Sequence, residues 1–380
     1  MIKILLVAGG TAGHINPALA MAEYFKEKLK NVHIEFAGTP NGMESKLIPK
    51  AGYKFNPIEI HGFKRKVSVK NFFINANSLF LFLKSNFKSR DLLKNLKPDI
   101  VIGTGGYVCG SLLLQAKRMG FKTAIHEQNA YPGITNKYLA KKVDLVLLEK
   151  KKKKKKLPRC NYVVVGNPLR KNVLTKTKEE ARKELNMDDE FCILSFGGSL
   201  GALKINEIAA DLIQWHNKFK KINHIHAMGK LGSKFFPQML AKRNVIVSKN
   251  PKLYIRNYIY NMETCLAACD LVICRSGALT IAELQATKKA SILIPSPNVA
   301  ENHQYYNALV LSKKKAAVLI EEKNYDKKFL IKTVKSFYED REKLKLYSEN
   351  AYNLAIHNTK ELILNEIKKL LKIWKIHLKK

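Results

Sequence analysis

Four glycine-rich turns, each placed directly after a short apolar run, constrain what this chain can fold into. Gly9-Gly10-Thr11-Ala12-Gly13-His14 follows Ile2–Val7, and Gly103-Thr104-Gly105-Gly106-Tyr107 follows Asp99–Ile102. Gly197-Gly198-Ser199-Leu200-Gly201-Ala202 follows Cys192–Phe196, and Arg275-Ser276-Gly277-Ala278-Leu279-Thr280 follows Leu271–Cys274. A stretch of helical period comes after each turn. Strand, tight turn and helix in repetition are the building unit of a parallel α/β sheet. Glycine lets a ligand approach the backbone, and the free N–H groups at a helix N-terminus favour phosphate. Ligands of open α/β sheets bind outside the carboxyl ends of the strands. One such loop is weak evidence, because glycine in a tight turn is often only structural. Two in each half predict a ligand cleft lined from both halves.

The remaining pattern supports a two-domain reading. Strands are predicted at Val32–Ala37, Thr123–His126 and Leu145–Leu148 in the first half, with helices at Asn16–Leu29, Ser111–Met119 and Ile134–Ala140. The pattern breaks at Gly166-Asn167-Pro168-Leu169-Arg170 and restarts at Cys192. Further strands are predicted at His224–Ala227, Val245–Val247, Leu271–Cys274 and Ser291–Ile294, with a helix at Ile205–Trp215 and a wholly helical stretch from Tyr325 to Lys380. The 380 residues suit two domains at about 100–200 residues each. The expected division is 1–165, completed by a C-terminal helix over 350–380, and 166–349.

Composition narrows the partners. Lys and Arg number 68 against 31 Asp and Glu, a formal charge of +37. Such a surplus suits a polyanion, an anionic membrane surface or a phosphorylated ligand; an AT-rich coding bias accounts for a lysine excess equally well. The apolar N-terminal run is too short for an export signal, and no stretch approaches the ~18 apolar residues of a membrane span. The six cysteines form no CxxC pair, so reduced core thiols and a cytosolic setting are expected.

The turns also exclude cofactors. None carries the G-K-[ST] of a Walker loop, and the first lacks both the G-x-G-x-x-G spacing and the acidic residue of a dinucleotide site. A nucleoside diphosphate remains. Neither an Asp-x-Asp at a strand end nor a His/Cys/carboxylate cluster is present, so no metal or other cofactor is called for. The helix N-termini would themselves stabilise a leaving diphosphate. Glu283, on the helix after Gly277, has the reach to accept both ribose hydroxyls; a dipole partner at the helix start is the competing role. His14 is a candidate for proton transfer, the usual work of an imidazole at a loop-helix junction, with capping or packing as the alternative. Asn129, in the polar group His126-Glu127-Gln128-Asn129, sits directly after a strand. Arg170 follows the linker, where a phosphate contact competes with a plain surface charge. Asn302-His303-Gln304 suits sugar hydroxyls.

Taken together, these motifs resemble those of the peptidoglycan lipid-intermediate N-acetylglucosaminyltransferases, glycosyltransferase family 28. The likeness runs from Gly9–Leu19 through Gly105-Gly106-Tyr107, His126–Asn129, Gly166–Arg170, Gly197–Ala202 and Arg275–Thr280 to His303–Ala308, in order over the first 310 residues. It implies a GT-B fold: two Rossmann-like domains with parallel sheets facing a central cleft. It also implies inverting transfer of GlcNAc from UDP-GlcNAc to the 4-hydroxyl of a lipid-linked MurNAc-pentapeptide. By motif position, Ser199 and the backbone of Ala278, Leu279 and Thr280 would meet the diphosphate and Glu283 the ribose. Ile259 would touch the uracil through its backbone, and His303 and Gln304 would read the sugar. Thr11, Ala12, Gly13, Asn129 and Arg170 would complete the substrate site, with His14 the candidate base. In this chain Ala12 replaces a frequent glycine, Leu200 stands where some relatives carry Gln, and a Lys150–Lys156 run precedes the linker. A UDP-GlcNAc 2-epimerase, another lipid glycosyltransferase and a basic polyanion binder remain as alternatives. No recognisable nucleic-acid motif is present, and a nucleic-acid binder would not account for the four loops.

A membrane-bound acceptor calls for a docking surface. Phe72, Phe73, Phe80 and Phe82 lie among Lys64, Arg65, Lys66, Lys70 and Lys84, a pattern that suits an interfacial segment on anionic lipid. The expected location is peripheral, on the cytoplasmic face of the cell membrane. Ile363, Ile367, Leu370, Leu371, Trp374 and Leu378 form a second apolar stripe, open to packing or lipid.

Overall fold

The structure, a computed structural model, describes residues 1–60, 84–150, 157, 160–198 and 200–372. It divides into two units, Met1–Arg170 with Ile356–Lys380, and Lys171–Ala355. The first unit is built on strands β1 (Ile2–Ala8), β2 (Val32–Gly38), β3 (Lys54–Pro57), β4 (Ile100–Gly105), β5 (Lys122–Glu127), β6 (Leu145–Leu148) and β7 (Tyr162–Val164). They form one sheet in the order β3-β2-β1-β4-β5-β6-β7. The second unit contains β8 (Phe191–Phe196), β9 (Ile222–Ala227), β10 (Leu253–Arg256), β11 (Leu271–Cys274), β12 (Ala290–Leu293) and β13 (Val318–Leu319), ordered β10-β9-β8-β11-β12-β13. Every adjacent pair in both sheets is parallel.

Strands covered on both faces have to be apolar along their whole length. In β1, Ile4, Leu6 and Ala8 enter one core with Ile15, Phe25, Ile363 and Ile367. Leu5 and Val7 enter the opposite core with Val108, Leu112 and Leu113. Burial of Ile363 and Ile367 assigns the first half of the C-terminal stripe to packing; Trp374 and Leu378 lie outside the described residues. The second unit repeats the plan, with Cys192 and Leu194 of β8 facing one core and Phe191 and Ile193 the other. Among the described residues no helix is long and apolar enough to cross a membrane.

Strand order reverses between β1 and β4 and again between β8 and β11. The four glycine turns follow these four strands. They therefore stand in pairs at the carboxyl ends of the two switch points, where open α/β sheets bind ligands.

Three sequence expectations need correction. The first helix begins at Ala12, directly after Thr11, so Asn16-Pro17 lies inside it. Pro17 has no N–H for the Gly13 carbonyl, and nearby the Thr104 hydroxyl donates to the His14 carbonyl at 2.8 Å. Val245–Val247 is not a strand. The Val245 N–H is taken by the Leu240 carbonyl at 3.0 Å, closing the preceding helix, and its side chain packs on Phe236 and Leu240. The sheet edge falls instead to β10, paired with His224–Ala227. The C-terminal stretch is three helices, Lys327–Glu339, Arg341–Asn353 and Thr359–Leu370. Asp340 separates the first two: its carboxylate accepts the Lys343 N–H at 2.9 Å and caps the second.

His216, His224 and His226 are buried in the second unit, and burial holds all three neutral. It pushes His216 down to about 4 and His226 to about 3. The unfolded chain takes up protons below about pH 6.5 that the folded unit refuses, so stability is full above that value and falls as pH drops toward the folded pKa values. Thermal denaturation of the second unit between pH 7 and pH 4.5 should lose about 1.4 kcal/mol per pH unit for each refused proton. A His216→Leu variant should show a shallower slope.

Candidate active site

At the first switch point, the two loops are locked together by close backbone contact. A Cβ on Gly106, whose φ is +96°, would meet the Gly9 carbonyl oxygen at 2.6 Å, and one on Gly105 would strike the His14 ring. The Gly9 N–H donates to the Gly105 carbonyl at 3.1 Å. His14 Nδ1 lies 3.0 Å from the Gly9 carbonyl oxygen. A carbonyl only accepts, so in the neutral ring Nδ1 carries the proton and Nε2 keeps the lone pair. The partly exposed His14 thus keeps its acceptor lone pair on Nε2. Thr11 and Gly13 are exposed beside it, while Ala12 starts the helix and needs no positive φ, so its methyl is accommodated.

Two buried carboxylates hold this loop system. Glu44 accepts the Gly10 N–H at 3.2 Å and the Thr39 N–H at 3.0 Å. Glu127 accepts the backbone and amide N–H groups of Asn129 at 2.9 and 3.3 Å, the Gly133 N–H at 3.0 Å and the Asn136 amide at 2.9 Å. Asn129 is thereby fixed at the mouth of β5. His126 Nε2 donates to the Gly166 carbonyl at 2.8 Å, and Gln128 Nε2 to the Thr104 carbonyl at 2.7 Å. Arg170, half exposed, sits 3.5 Å from Glu23.

At the second switch point a cavity of about 580 Å³ opens against the third loop. Gly197, Gly201, Ala202, Arg275, Ser296 and Gln304 line it. Arg275 braces its wall, donating to the Ile294 and Pro295 carbonyls at 3.1 Å and pairing with Glu322. Gln304 Oε1 accepts the Ser296 N–H at 2.9 Å, which leaves its amide Nε2 as a donor toward a ligand. His303 is partly exposed beside Gln304, at the start of the same helix. Ser276 Oγ donates to the Gln304 carbonyl at 2.8 Å, tying the fourth loop to that helix.

Ala278, Leu279 and Thr280 form the first turn of the helix Ala278–Ala286 after β11, where N–H groups lack intrahelical acceptors. Glu283 lies one turn further on, partly exposed, and no polar group among the described residues bonds its carboxyl. Burial raises its pKa to about 7. The Ile259 side chain is packed into the core, so only its backbone is available to a ligand. Ser199 lies outside the described residues, as do Phe72, Phe73, Phe80 and Phe82.

Residues 4–148 match the glycosyltransferase family 28 N-terminal domain, and residues 192–367 match the family 28 C-terminal domain. The chain belongs to glycosyltransferase family 28. Similar relatives include UDP-N-acetylglucosamine--N-acetylmuramyl-(pentapeptide) pyrophosphoryl-undecaprenol N-acetylglucosamine transferases. That of Acetivibrio thermocellus is 40% identical over 98% of this chain and 99% of its own length. That of Clostridioides difficile is 38% identical over 97% and 89%. The crystal structure of Acinetobacter baumannii MurG is 27% identical and matches with a TM-score of 0.77, covering 97% of this chain and 100% of that one. A Neisseria meningitidis UDP-GlcNAc 2-epimerase shares the fold, with a TM-score of 0.66 at 15% identity over 97% of this chain and 100% of its own. The family 28 assignment and the two parallel sheets agree with the GT-B expectation, and the chain is a glycosyltransferase.

Sequence reasoning passed over the two carboxylates that hold the family 28 loops. Glu44 lies in an unremarkable polar stretch, and Glu127 stands out only as part of the His126–Asn129 motif. It also passed over Tyr258 and Tyr260, exposed on either side of Ile259 with ring centroids 4.8 Å apart and Tyr260 at 89% exposure. Local pattern carried a signal only for the tyrosines, as an aromatic pair flanking an apolar residue.

The Glu283 carboxyl ionises near neutrality, and the carboxylate accepts hydroxyl protons better than the neutral acid. On the expectation that Glu283 meets the ribose, affinity for UDP-GlcNAc, whose own charge is constant over this range, should rise between pH 6 and pH 8. Calorimetry on Glu283→Gln should show that dependence flattened and affinity lowered about tenfold.

Proposed function

We propose that the protein transfers GlcNAc from UDP-GlcNAc to the 4-hydroxyl of MurNAc in a lipid-linked diphospho-MurNAc-pentapeptide, with inversion. The observation that carries this reading is the placement of four glycine loops at two switch points, in a chain 40% identical over nearly its whole length to an enzyme named for that transfer. In the second unit, the Gly197–Ala202 loop with Ser199 and the first turn Ala278–Thr280 hold the donor diphosphate. Glu283 holds the ribose, the Ile259 backbone the uracil, and Gln304 with His303 the sugar hydroxyls. In the first unit, Thr11, Ala12, Gly13 and Asn129 form the transfer site, with Arg170 beside the linker.

The chemistry is a single displacement. The acceptor oxygen bonds to C1 of GlcNAc as the bond from C1 to the diphosphate breaks, and that electron pair leaves with UDP. The hydroxyl proton passes to Nε2 of His14, whose Nδ1–H is committed to the Gly9 carbonyl. N–H groups at the Ala278 helix start offset charge developing on the leaving diphosphate.

The protein works peripherally on the cytoplasmic face of an anionic membrane. Phe72, Phe73, Phe80 and Phe82 dock it there. Phe87, 71% exposed on the helix over residues 84–96 beside Lys84 and Lys88, extends that surface.

Labelled GlcNAc should pass from UDP-GlcNAc to a lipid-linked MurNAc-pentapeptide in the presence of EDTA, giving a lipid-linked disaccharide. Binding of UDP without transfer would return the epimerase and other-acceptor readings. His14→Ala should lower kcat by about 10²–10⁴ while donor affinity stays within threefold. Phe80→Asp/Phe82→Asp should lose sedimentation with anionic vesicles and keep UDP binding; unchanged sedimentation would sink the docking assignment.

A further inference from the structure

A file of buried side chains runs under the third glycine loop. His216 Nε2 lies 2.9 Å from His224 Nδ1, and His224 Nε2 lies 2.8 Å from Ser195 Oγ. Ser195 Oγ is 2.8 Å from His226 Nδ1, and His226 Nε2 is 3.2 Å from Asn206 Oδ1. The Asn206 amide nitrogen donates to the Met228 carbonyl at 3.1 Å.

The last bond sets the direction of all the others. A carbonyl only accepts, so Asn206 turns its nitrogen to Met228 and its oxygen to His226. His226 must then donate from Nε2, so its Nδ1 accepts the Ser195 hydroxyl at 2.8 Å and makes no hydrogen bond to the Ser195 carbonyl 3.1 Å away. Ser195 has one proton, spent on His226, so it accepts from His224 Nε2. His224 Nδ1 in turn accepts from His216 Nε2. Every ring is thus the neutral Nε2–H form, in keeping with full burial.

The file ends beneath the loop. A Cβ on Gly201 would meet the Met228 carbonyl oxygen at 2.4 Å, and one on Gly229 the Gly201 Cα at 2.2 Å. The Leu231 N–H donates to the Leu200 carbonyl at 3.1 Å. The backbone at Met228–Gly229 is therefore the bed on which the Gly197–Ala202 loop rests.

We propose that Ser195, His224 and His226 are positioning residues for donor binding: their one-way hydrogen-bond file fixes Asn206, and through it the loop that cradles the donor diphosphate. This rests on the assignment of that loop to the diphosphate. Removing the Ser195 hydroxyl breaks the file at its centre. His226 Nδ1 then protonates and donates to the Ser195 carbonyl, 3.1 Å away. Nε2 loses its proton and faces the Asn206 oxygen lone pair to lone pair, so Asn206 releases Met228.

The test compares Ser195→Ala and Ser195→Thr with the parent protein. Calorimetry measures UDP and uridine, and ¹⁵N NMR of the histidine rings reads the tautomers. Ser195→Ala should weaken UDP about tenfold, leave uridine within twofold and convert His226 to the Nδ1–H form. Ser195→Thr, which keeps the hydroxyl, should restore both readouts. A parent protein with His226 as Nδ1–H, a tautomer change with UDP affinity intact, or equal weakening of UDP and uridine would each overturn the proposal. A parent protein that binds uridine as tightly as UDP would instead overturn the diphosphate assignment on which it rests.

Discussion

In each unit the glycine loops depend on backbone pressed against backbone. Gly106 sits on the Gly9 carbonyl, and Gly229 sits on Gly201. These contacts are closer than any side chain permits, and each joins two segments that come together only once the sheet has formed. The sheet is thus more than a platform for the loops. Strand order reverses at each switch point, and glycine loops from the two flanking strands meet there.

What the glycines bring close, polar side chains then hold. Glu44 gathers donors from two separate segments, Glu127 folds the stretch from Asn129 to Asn136 around itself, and Arg275 gathers two carbonyls from the far side of its cavity. A buried carboxylate surrounded by N–H groups is stable only when its lone pairs are occupied. Each hub therefore tolerates only one arrangement of its loop. His14 inherits that rigidity, since its ring is anchored on a carbonyl of the same loop.

The fold was legible because its signals are local. A fully apolar run, a glycine turn and a helical period announce one βα unit, and repetition announces the sheet. The glycosyltransferase assignment was legible for a related reason, as its motifs are short contiguous stretches at strand ends. The hubs were not legible. Glu44 reads as a surface residue until Gly10, 34 positions away, is found on it. Asn16-Pro17 suggests a helix start because proline favours a first turn; the helix instead begins at Ala12, directly after the glycine turn, and runs through the proline. Val245–Val247 had β-branched composition but had already given its backbone to a helix end.

The pinned third loop has a consequence for how such enzymes diverge. Gly201 is held from below, yet its neighbour Leu200 is 65% exposed beside the cavity. Main chain and side chain are decoupled at that position: the peptide path is set by glycines that cannot change, while the residue between them is answerable to nothing in the core. A substitution there carries little refolding cost, so the surface of the loop can change while its scaffold stays unaltered.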